Sequence, residues 1–254
     1  MIALTGSTGF LGTAIQQYAN PHLIHVVPLL RTVGTQQPSL ARVIGNLDGS
    51  TIDPALLAGC TSVIHTAARA HRMGEHGDAA LAAYRQTNVA GTQALITAMV
   101  AAGVRRLIYV SSIKALGERS CGALLHPDDV RHPEDPYGVS KAEAEEAICS
   151  AVSKGSIEAV IIRPVLVHGP GAKGNLNRLM DGIARGRVLP LGAICNRRSM
   201  IGVENLADAL LTAATAPLSL RCREAGRGVG APIYHLADDG VISTRRLVEV
   251  LAEG

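Results

Sequence analysis

The chain has 254 residues, of which 47% are hydrophobic and 18% are charged, and its formal net charge is +3. These values are typical of a soluble globular protein with one large domain, or with one domain and a small appendage. The small charge and the aromatic content of 2% argue against a nucleic-acid-binding protein, whose grooves are basic and carry stacking aromatic rings.

The N-terminus does not resemble a targeting segment, because no basic region precedes its apolar run. No uninterrupted apolar stretch is long enough to cross a bilayer, so we expect a cytoplasmic protein that does not enter a membrane. The cysteines lack CxxC spacing and the nine histidines form no HExxH motif, so we predict reduced thiols and no metal site. The cysteines are Cys60, Cys121, Cys149, Cys195 and Cys222.

Six apolar runs of strand length alternate with segments of helix length along the first two thirds of the chain. The runs are MIAL, LIHVVPLL, ARVIGNL, TSVIHTAA, RRLIYVSS and IEAVIIRPV. This alternation predicts an α/β fold in which a doubly wound parallel sheet carries helices on both faces.

The first apolar run is followed at once by glycines at three-residue spacing, Gly6, Gly9 and Gly12. In a strand-to-helix turn, one such glycine turns the chain, one clears the path of a diphosphate, and one lets the helix pack on the strand. The anion would lie at the helix N-terminus. The alternative is a glycine-rich hairpin with no ligand.

Four helices are predicted between the strands. They cover residues 13–19, 53–59, 81–103 and 136–155. In the long third helix, Leu95, Met99 and Ala102 recur at helical spacing, and Gly103 is placed to end it. In the fourth, we expect the acidic residues to face outward and Gly155 to end the helix.

A serine pair and a tyrosine–lysine pair follow the fifth strand. Ser111 and Ser112 lie just past that strand, and Tyr137 and Lys141 are four residues apart on the fourth helix, hence on one face. A neighbouring ammonium favours the phenolate, so the lysine would lower the pKa of the tyrosine and let it pass protons near neutral pH. The alternative is an exposed tyrosine beside a solvated lysine.

The pattern changes after residue 164, where glycine, proline and arginine concentrate and a further helix is predicted over residues 203–216. We therefore divide the chain into a dinucleotide-binding domain, residues 1–164, and a smaller substrate-binding part, residues 165–254, interleaved with late sheet elements. Loops that follow late strands of such sheets often cover the ligand.

Taken together, these motifs resemble the extended short-chain dehydrogenase/reductase family, in particular its nucleotide-sugar epimerases, dehydratases and reductases. The resemblance runs from residue 1 to about residue 250. It rests on TGSTGFLG, HTAA, TNVAGT, the serine pair, PYGVSK and RPVLVHGPG in that order. It implies a Rossmann fold, a nicotinamide cofactor and a UDP-sugar substrate. Since relatives continue beyond LVEVLAEG, the sequence is expected to be either a fragment or a minimal variant.

The resemblance also implies roles for individual residues. Tyr137 would be the general acid/base, Lys141 would bind the nicotinamide ribose and lower the pKa of Tyr137, and Ser112, rather than Ser111, would hydrogen-bond the reacting sugar oxygen. Asn175 and Arg198 would bind substrate, with the arginine on its diphosphate. The residues expected to contact the cofactor are Gly6, Thr8, Gly9, Phe10, Leu11, Gly12, Arg31, Asn46, Leu47, Thr66, Ala67, Ala68, Tyr137, Lys141 and Pro164.

Two further matches concern the walls of the implied site. Asn88 would either support the active-site wall or bond to a neighbouring loop. Arg163 and Pro164 match the start of the loop over the nicotinamide.

Several positions depart from the family pattern. Arg31 stands where NAD-preferring members carry a carboxylate, which favours NADP over NAD unless the arginine is merely solvated. Ile113 and Lys114 replace the acidic pair of the dehydratases, and Glu118, the nearest carboxylate, is expected to lie beyond a turn at Gly117, away from the site. Asn46 and His168 leave the adenine pocket less defined.

These features favour an oxidoreductase acting at C4 of a UDP-linked sugar. A 4-keto-sugar reductase of surface-polysaccharide synthesis is preferred, because VIHTAARAHRMGE and LPLGAICNRRSMIGVENLADA resemble that subgroup. The alternatives are a UDP-sugar 4-epimerase and a non-catalytic dinucleotide sensor.

A homodimer is also expected. It would form through the helix around residues 88–102 and the helix after Tyr137, because an alanine-rich face allows helices to approach closely. That face carries Ala90, Ala94, Ala98 and Ala101. The alternative is burial of the face against its own sheet.

Overall fold

A computed structural model describes residues 1–32, 40–70, 74–120, 124–172, 175–186, 194, 196–217 and 231–253. The strands are β1 (Ile2–Thr5), β2 (Val26–Leu30), β3 (Arg42–Val43), β4 (Ser62–His65), β5 (Arg106–Val110), β6 (Glu158–Pro164), β7 (Leu166–His168), β8 (Met200–Gly202) and β9 (Ile233–Leu236). The α-helices are α1 (Phe10–Ala19), α2 (Gly77–Arg85), α3 (Gly91–Ala101), α4 (Pro136–Ser153), α5 (Asn175–Ala184), α6 (Val203–Thr215) and α7 (Thr244–Glu253). Short 3₁₀ turns cover Pro54–Leu57 and Ile113–Ala115.

The predicted doubly wound parallel sheet is confirmed. Its strand order is β3-β2-β1-β4-β5-β6-β9, and all neighbouring pairs are parallel. Every residue of β1 and β4 is buried, as expected of central strands covered on both faces. Strands β7 and β8 form a separate parallel pair. Among the described residues, no helix is long and apolar enough to cross a membrane.

The hydrophobic core lies in two layers, one on each face of this sheet. On one face, Leu95 and Met99 of α3 and Ile148 of α4 pack against strand residues such as Leu107. On the other, Ile15 of α1 and Leu210 of α6 pack against residues such as Ile108. Because successive strand side chains point to opposite faces, β5 contributes to both layers. The layers hold the carboxyl ends of the strands in fixed relative positions.

The long helix predicted over residues 81–103 is divided in the structure. A π-helical turn, Gln86–Ala90, joins α2 to α3, and the backbone N–H of Gly91 bonds to the carbonyl of Gln86. Gly103 and Gly155 follow α3 and α4 with φ of +73° and +70°, which is the backbone expected of helix-ending glycines.

The alanine-rich face of α3 does not have the exposure that the dimer argument assumes. Ala98 is buried in the core, and Ala94 packs against the same layer. The described structure therefore shows the alternative for these two alanines, burial within their own chain. The outward face of α3 carries Gln93, Thr97, Val100 and, from the predicted alanine face, Ala101.

The later part of the chain returns to the main sheet. Helix α6 packs on α1 and beside β4 and β5, and β9 pairs with β6 at the sheet edge. The carbonyl and N–H of Arg198 pair with Ile242 in an isolated bridge. These contacts place the loops around β7 and β8 above the carboxyl ends of β5 and β6.

Candidate functional site

The carboxyl ends of the strands open onto one cavity of about 3370 Å³. Most of the residues that the sequence assigns to a cofactor, to chemistry or to a substrate line this cavity. They are Gly6, Thr8, Gly9, Phe10, Leu11, Gly12, Arg31, Asn46, Leu47, Thr66, Ala67, Ala68, Ser111, Ser112, Tyr137, Pro164 and Arg198.

The glycine turn between β1 and α1 leaves no room for side chains. Gly6 has φ of +68°, and a Cβ on it would lie 2.6 Å from Oγ1 of Thr66. A Cβ on Gly12 would lie 2.2 Å from the carbonyl oxygen of Gly6. Gly6 therefore provides the turn, and Gly12 allows the helix to pack on the loop. This tight turn exposes backbone to the cavity at the N-terminus of α1, a favourable place for a diphosphate.

The cavity wall after β4 is held by hydrogen bonds to its neighbours. Thr66 donates through Oγ1 to the carbonyl of Thr5 at 2.7 Å. Buried Asn88 accepts from the backbone N–H of Arg69 at 2.8 Å and donates to Oγ of Ser140 at 2.9 Å. The Asn88 side chain thus joins the loop after β4 to α4, which is the bond to a neighbouring loop that the sequence analysis offered as one alternative. Its support of an active-site wall stays a prediction.

Both serines line the cavity, but their hydrogen bonds differ. Ser112 forms a side-chain hydrogen bond with Tyr137. Ser111 instead donates to Oε1 of Glu145 at 2.5 Å, and it is buried. The geometry therefore agrees with the preference for Ser112 as the hydroxyl that faces a ligand beside Tyr137.

The structure describes the surroundings of both Tyr137 and Lys141. Burial raises the pKa of Tyr137 to about 12, and the hydrogen bond with Ser112 only partly opposes this. Lys141 donates to the carbonyl of Val110 at 2.8 Å and to Oη of Tyr109 at 3.2 Å. The Lys141 ammonium is thus bonded to Val110 and Tyr109 in this structure, and its lowering of the Tyr137 pKa stays a prediction.

Burial also lowers the pKa of Lys141 to about 7, although the negative charge of Glu145 opposes the shift. An ammonium removed from water is unstable unless charges or hydrogen bonds compensate. At neutral pH this lysine therefore lies close to the midpoint between its charged and neutral forms. Such a group is poised to respond to a ligand that brings new hydrogen-bond acceptors.

A model of the NAD dependent epimerase/dehydratase family matches residues 2–225. The chain belongs to this family. It is similar to a UDP-glucose 4-epimerase from Vibrio cholerae, with 35% identity over 254 residues that cover 99% of this chain and 74% of the relative. It is also similar to an N-acetyl-alpha-D-glucosaminyl-diphospho-ditrans,octacis-undecaprenol 4-epimerase from Escherichia coli O157:H7, with 31% identity over 82% of this chain and 61% of the relative.

Among solved structures, MoeE5 in complex with UDP-glucose and NAD matches with a TM-score of 0.79 and 25% identity, covering 99% of this chain and 81% of that chain. The predicted resemblance to extended short-chain dehydrogenases/reductases and the Rossmann fold are confirmed by these matches. The described residues fit the dinucleotide that the family name implies, because the glycine turn at the N-terminus of α1 lines the cavity and is too tight for a side chain on Gly6 or Gly12.

The position taken by the acidic pair in dehydratases of this family shows an unexpected arrangement. Nζ of Lys114 lies 2.6 Å from Oε1 of Glu118 and 2.7 Å from Oδ2 of Asp135. Glu118 also lines the cavity. The prediction that Glu118 lies away from the site is therefore wrong, since the 3₁₀ turn at Ile113–Ala115 brings Lys114 back toward it.

Two charged residues lie in the interior, against expectation. Arg163 is buried within β6, where its guanidinium makes a two-fold ion pair with Glu145 of α4 at 2.9 and 2.7 Å. Arg131 adds a third contact to Glu145 at 3.0 Å. Arg163 is thus not part of a loop over the cavity, and the acidic residues of α4 do not all face outward. The i+4 spacing of Lys141 and Glu145 was the sequence signal for this inward face.

The expected substrate end is only partly described. Arg198 and Arg197 line the cavity and are exposed. Asn175 is the first residue of α5, but its side chain lies outside the described part of the structure. Pro164, at the end of β6, lines the cavity below this region.

In the described part of the chain, no group of three or more histidine, cysteine, aspartate or glutamate residues could hold a metal ion. Cys60 and Cys149 are free thiols, whereas Cys121, Cys195 and Cys222 lie outside the described residues.

Proposed function

We propose that this protein is an enzyme that interconverts the alcohol and ketone at C4 of a UDP-linked sugar. The observation that carries the proposal is the hydrogen bond between Ser112 and Tyr137 in the cavity whose other end is formed by the glycine turn. A bound nicotinamide dinucleotide would accept or donate the hydride. The UDP-linked class is supported by the Vibrio cholerae relative and by the ligand of MoeE5.

In this proposal, Tyr137 takes the proton from the C4 hydroxyl during oxidation and returns one during reduction. Ser112 hydrogen-bonds the same oxygen and keeps it beside the phenol. With a pKa of about 12, Tyr137 is a poor base near neutral pH. The proposal therefore requires that the Lys141 ammonium approach Tyr137 when a ribose binds, because a nearby positive charge favours the phenolate.

Two reactions share this half-step. In a 4-epimerase, the ketone turns over in the cavity and is reduced on its other face. In a 4-keto-sugar reductase, which the sequence resemblance favours, the ketone is supplied and the alcohol is released. We place the epimerase first, because the Vibrio cholerae and Escherichia coli relatives, with 35% and 31% identity over 99% and 82% of this chain, carry 4-epimerase names. The reductase is the second candidate, in the synthesis of surface-polysaccharide sugars.

The decisive experiment combines two measurements on the protein supplied with NAD or NADP. Proton NMR follows UDP-glucose and UDP-N-acetylglucosamine, and absorbance at the nicotinamide band follows the cofactor. A C4 epimer without net cofactor reduction supports the epimerase. Stoichiometric oxidation of NADH or NADPH by a 4-keto sugar supports the reductase. Dinucleotide binding without either reaction would replace both with the non-catalytic sensor.

For the cofactor, we propose that Arg31 favours NADP(H) through its guanidinium, which can pair with a 2′-phosphate. The support is that Arg31 lines the cavity just after β2 and is exposed. MoeE5 was solved with NAD, so the proposed preference for NADP(H) concerns this chain alone. Calorimetry should show that Arg31→Asp weakens NADPH binding about tenfold or more and spares NADH, since an aspartate repels the phosphate. Equal losses, or tighter binding of NADH by the wild type, would remove the idea.

We also propose a homodimer through the outward faces of α3 and α4, as the family resemblance implies. The support is Val100, an apolar side chain 49% exposed on α3. Light scattering should give twice the mass of the chain at micromolar concentration, and Val100→Glu should give the monomer mass. A monomer for the wild type would refute this assembly.

A further inference from the structure

A second tyrosine lies against Lys141, and neither the sequence nor the proposed reaction gives it a role. Tyr109 belongs to the central strand β5 and is 1% exposed, while Lys141 is 2% exposed. Nζ of Lys141 is 3.2 Å from Oη of Tyr109 and 4.6 Å from the centre of its ring. The ammonium thus meets both the hydroxyl and the ring of one buried side chain.

On the side of Thr92 and His65, the surroundings of Tyr109 are fixed by hydrogen bonds. The Thr92 hydroxyl donates to the carbonyl of Asn88 at 2.7 Å and also interacts with the Tyr109 phenol. His65 contacts Thr92 at 3.0 Å through Nε2 and Thr5 at 2.6 Å through Nδ1. Since the only proton of Thr92 goes to Asn88, Nε2 of His65 donates to Thr92, and Nδ1 accepts from Thr5.

This pattern is stable because His65 does not take up a second proton near neutral pH. Burial, with the positive charge of Lys141, lowers its pKa to about 3. Neutral His65, in one fixed tautomer, hydrogen-bonds the Thr92 hydroxyl. The Thr92 hydroxyl in turn hydrogen-bonds the Tyr109 hydroxyl. The side chain of Tyr109 therefore has little freedom to turn away from Lys141.

The groups that face Lys141 come from three elements. Strand β4 provides neutral His65, β5 provides Tyr109 and the Val110 carbonyl, and α4 provides Glu145. Within the described residues, the lysine has two hydrogen-bond partners, Val110 and Tyr109. An ammonium has three N–H donors, so one donor is left for a ligand.

We propose that Tyr109 is a positioning residue for Lys141: it stabilises the ammonium beside the cavity wall with its hydroxyl and ring, and thereby keeps one N–H available to a ribose. The ring face attracts a cation, and the hydroxyl accepts from it, so both contacts favour the charged form of the lysine. The role of the ribose rests on the proposed function, whereas the effect on the lysine itself does not.

The test uses the protonation of Lys141 directly. The chain has four lysines, so ¹³C-lysine labelling gives few Cε signals, and Lys141→Arg identifies the one that matters. In the cofactor-free protein, this signal should titrate near pH 7 in the wild type. Tyr109→Phe, which keeps the ring, should lower the Lys141 pKa by about half a unit, and Tyr109→Leu, which removes it, by about one unit or more.

Tyr18→Phe is the matched control, because Tyr18 packs in the core layer on the other face of the sheet from Tyr109, and it should leave the titration unchanged. Thr92→Val tests the support of Tyr109 without touching the lysine, and it should shift the titration in the same direction by less. An unchanged or raised Lys141 pKa in folded Tyr109→Phe and Tyr109→Leu proteins would overturn the proposal.

A kinetic arm links this residue to the reaction. The charged lysine is needed to favour the phenolate, so the alkaline loss of kcat should begin at lower pH in Tyr109→Phe than in the wild type, with KM for the sugar nearly unchanged. A wild-type protein without turnover but with the NMR shift would sink the proposed function and leave the role of Tyr109 standing. Turnover by the wild type, with no shift of the Lys141 pKa in the Tyr109 variants, would support the proposed function and overturn the role of Tyr109.

Discussion

Tyr137 is the side chain on which the proposed chemistry depends most directly. It hydrogen-bonds Ser112 and lines the cavity, and because burial raises its pKa to about 12 it holds its proton near neutral pH. We expect Tyr137→Phe to lower turnover by about 10² to 10⁴, because a positioned general acid/base is lost while the cofactor contacts remain. Steady-state kinetics and calorimetry with the dinucleotide measure the two effects separately.

The control for this variant is Tyr18→Phe, which removes a tyrosine hydroxyl on α1 that does not line the cavity. Turnover of Tyr137→Phe within threefold of the wild type would show that another group moves the proton. A large loss of dinucleotide affinity would instead indicate that the tyrosine serves binding.

Lys141 is expected to reduce the stability of the protein. The unfolded chain holds its lysine proton up to about pH 10.5, whereas the folded protein loses it near pH 7. Stability therefore rises between these values, because the unfolded state binds more protons. Lys141→Met should raise the free energy of unfolding at pH 6 by about 1 kcal/mol or more, and the gain should shrink toward pH 10.

Urea denaturation at pH 6, 8 and 10 measures this dependence. Lys154→Met, at the exposed end of α4, is the control and should change stability little at any pH. A gain for Lys141→Met that is the same at all three pH values would contradict the burial argument.

At this scale, sequence and structure agree where a residue's role depends on local spacing. The glycine turn and the Ser112–Tyr137 neighbourhood follow from strand-to-helix geometry, so their positions in the cavity could be predicted. The hydrogen bonds of Lys141 could not, because Tyr109 and Val110 are more than thirty residues away along the chain. The YxxxK spacing does not indicate which groups accept hydrogen bonds from the Lys141 ammonium.

Helix α4 is fixed to the sheet by charge as well as by apolar packing. The Glu145 carboxylate is fully buried, accepts a hydrogen bond from the Ser111 hydroxyl, and forms ion pairs with Arg163 and Arg131. Glu145→Gln would leave two arginines without their carboxylate, so we expect a loss of about 3 kcal/mol in the free energy of unfolding. Chemical denaturation measures it.

Glu146, the next residue, is the matched control. Its side chain is 71% exposed, and its Oε1 lies 3.4 Å from Nη1 of Arg131. Glu146→Gln should therefore cost less than about 1 kcal/mol, as exposed pairs do. Equal effects at the two positions would mean that the buried ion pair contributes nothing beyond a surface one.

The elements themselves were largely predictable, because a period of two or of 3.6 in apolar residues marks a strand or a helix locally. The exception is the stretch from residue 81 to residue 103. Its apolar spacing indicates one helix, whereas the structure inserts the π turn Gln86–Ala90. A one-residue change of winding leaves the composition of the segment unaltered, so the pattern does not reveal it.

For the molecule as a whole, the question is which of the family's reactions the cavity permits. Loss of the C6 hydroxyl needs a base at C5 and an acid at C6. Ile113 cannot move a proton, and Lys114 is held by Glu118 and Asp135. We therefore expect UDP-N-acetylglucosamine to give no 4-keto-6-deoxy product, as followed by the C6 methyl signal in proton NMR.

The two carboxylates beside Lys114 make a matched test possible. Like the wild type, Glu118→Gln should give no C6 methyl signal, because an amide cannot supply the missing acid. A C6 methyl signal from the wild type that disappears in Glu118→Gln would instead identify Glu118 as the acid and overturn the exclusion of dehydration.

The π turn also leaves this region with one residue more than a continuous helix needs. Because a π turn holds one residue more than an α turn, deleting the exposed Gln86 would close Gly77–Ala101 into a continuous α-helix and keep α2 nearly in phase with α3. Tyr84, which meets Tyr137 edge-on, and Arg85, which pairs with Glu143 of α4, would then keep their partners. A deletion inside α3 would instead rotate one part of that helix by about 100° against the other, so a library of single-residue deletions should tolerate the loss of Gln86 far better than a loss within Gly91–Ala101.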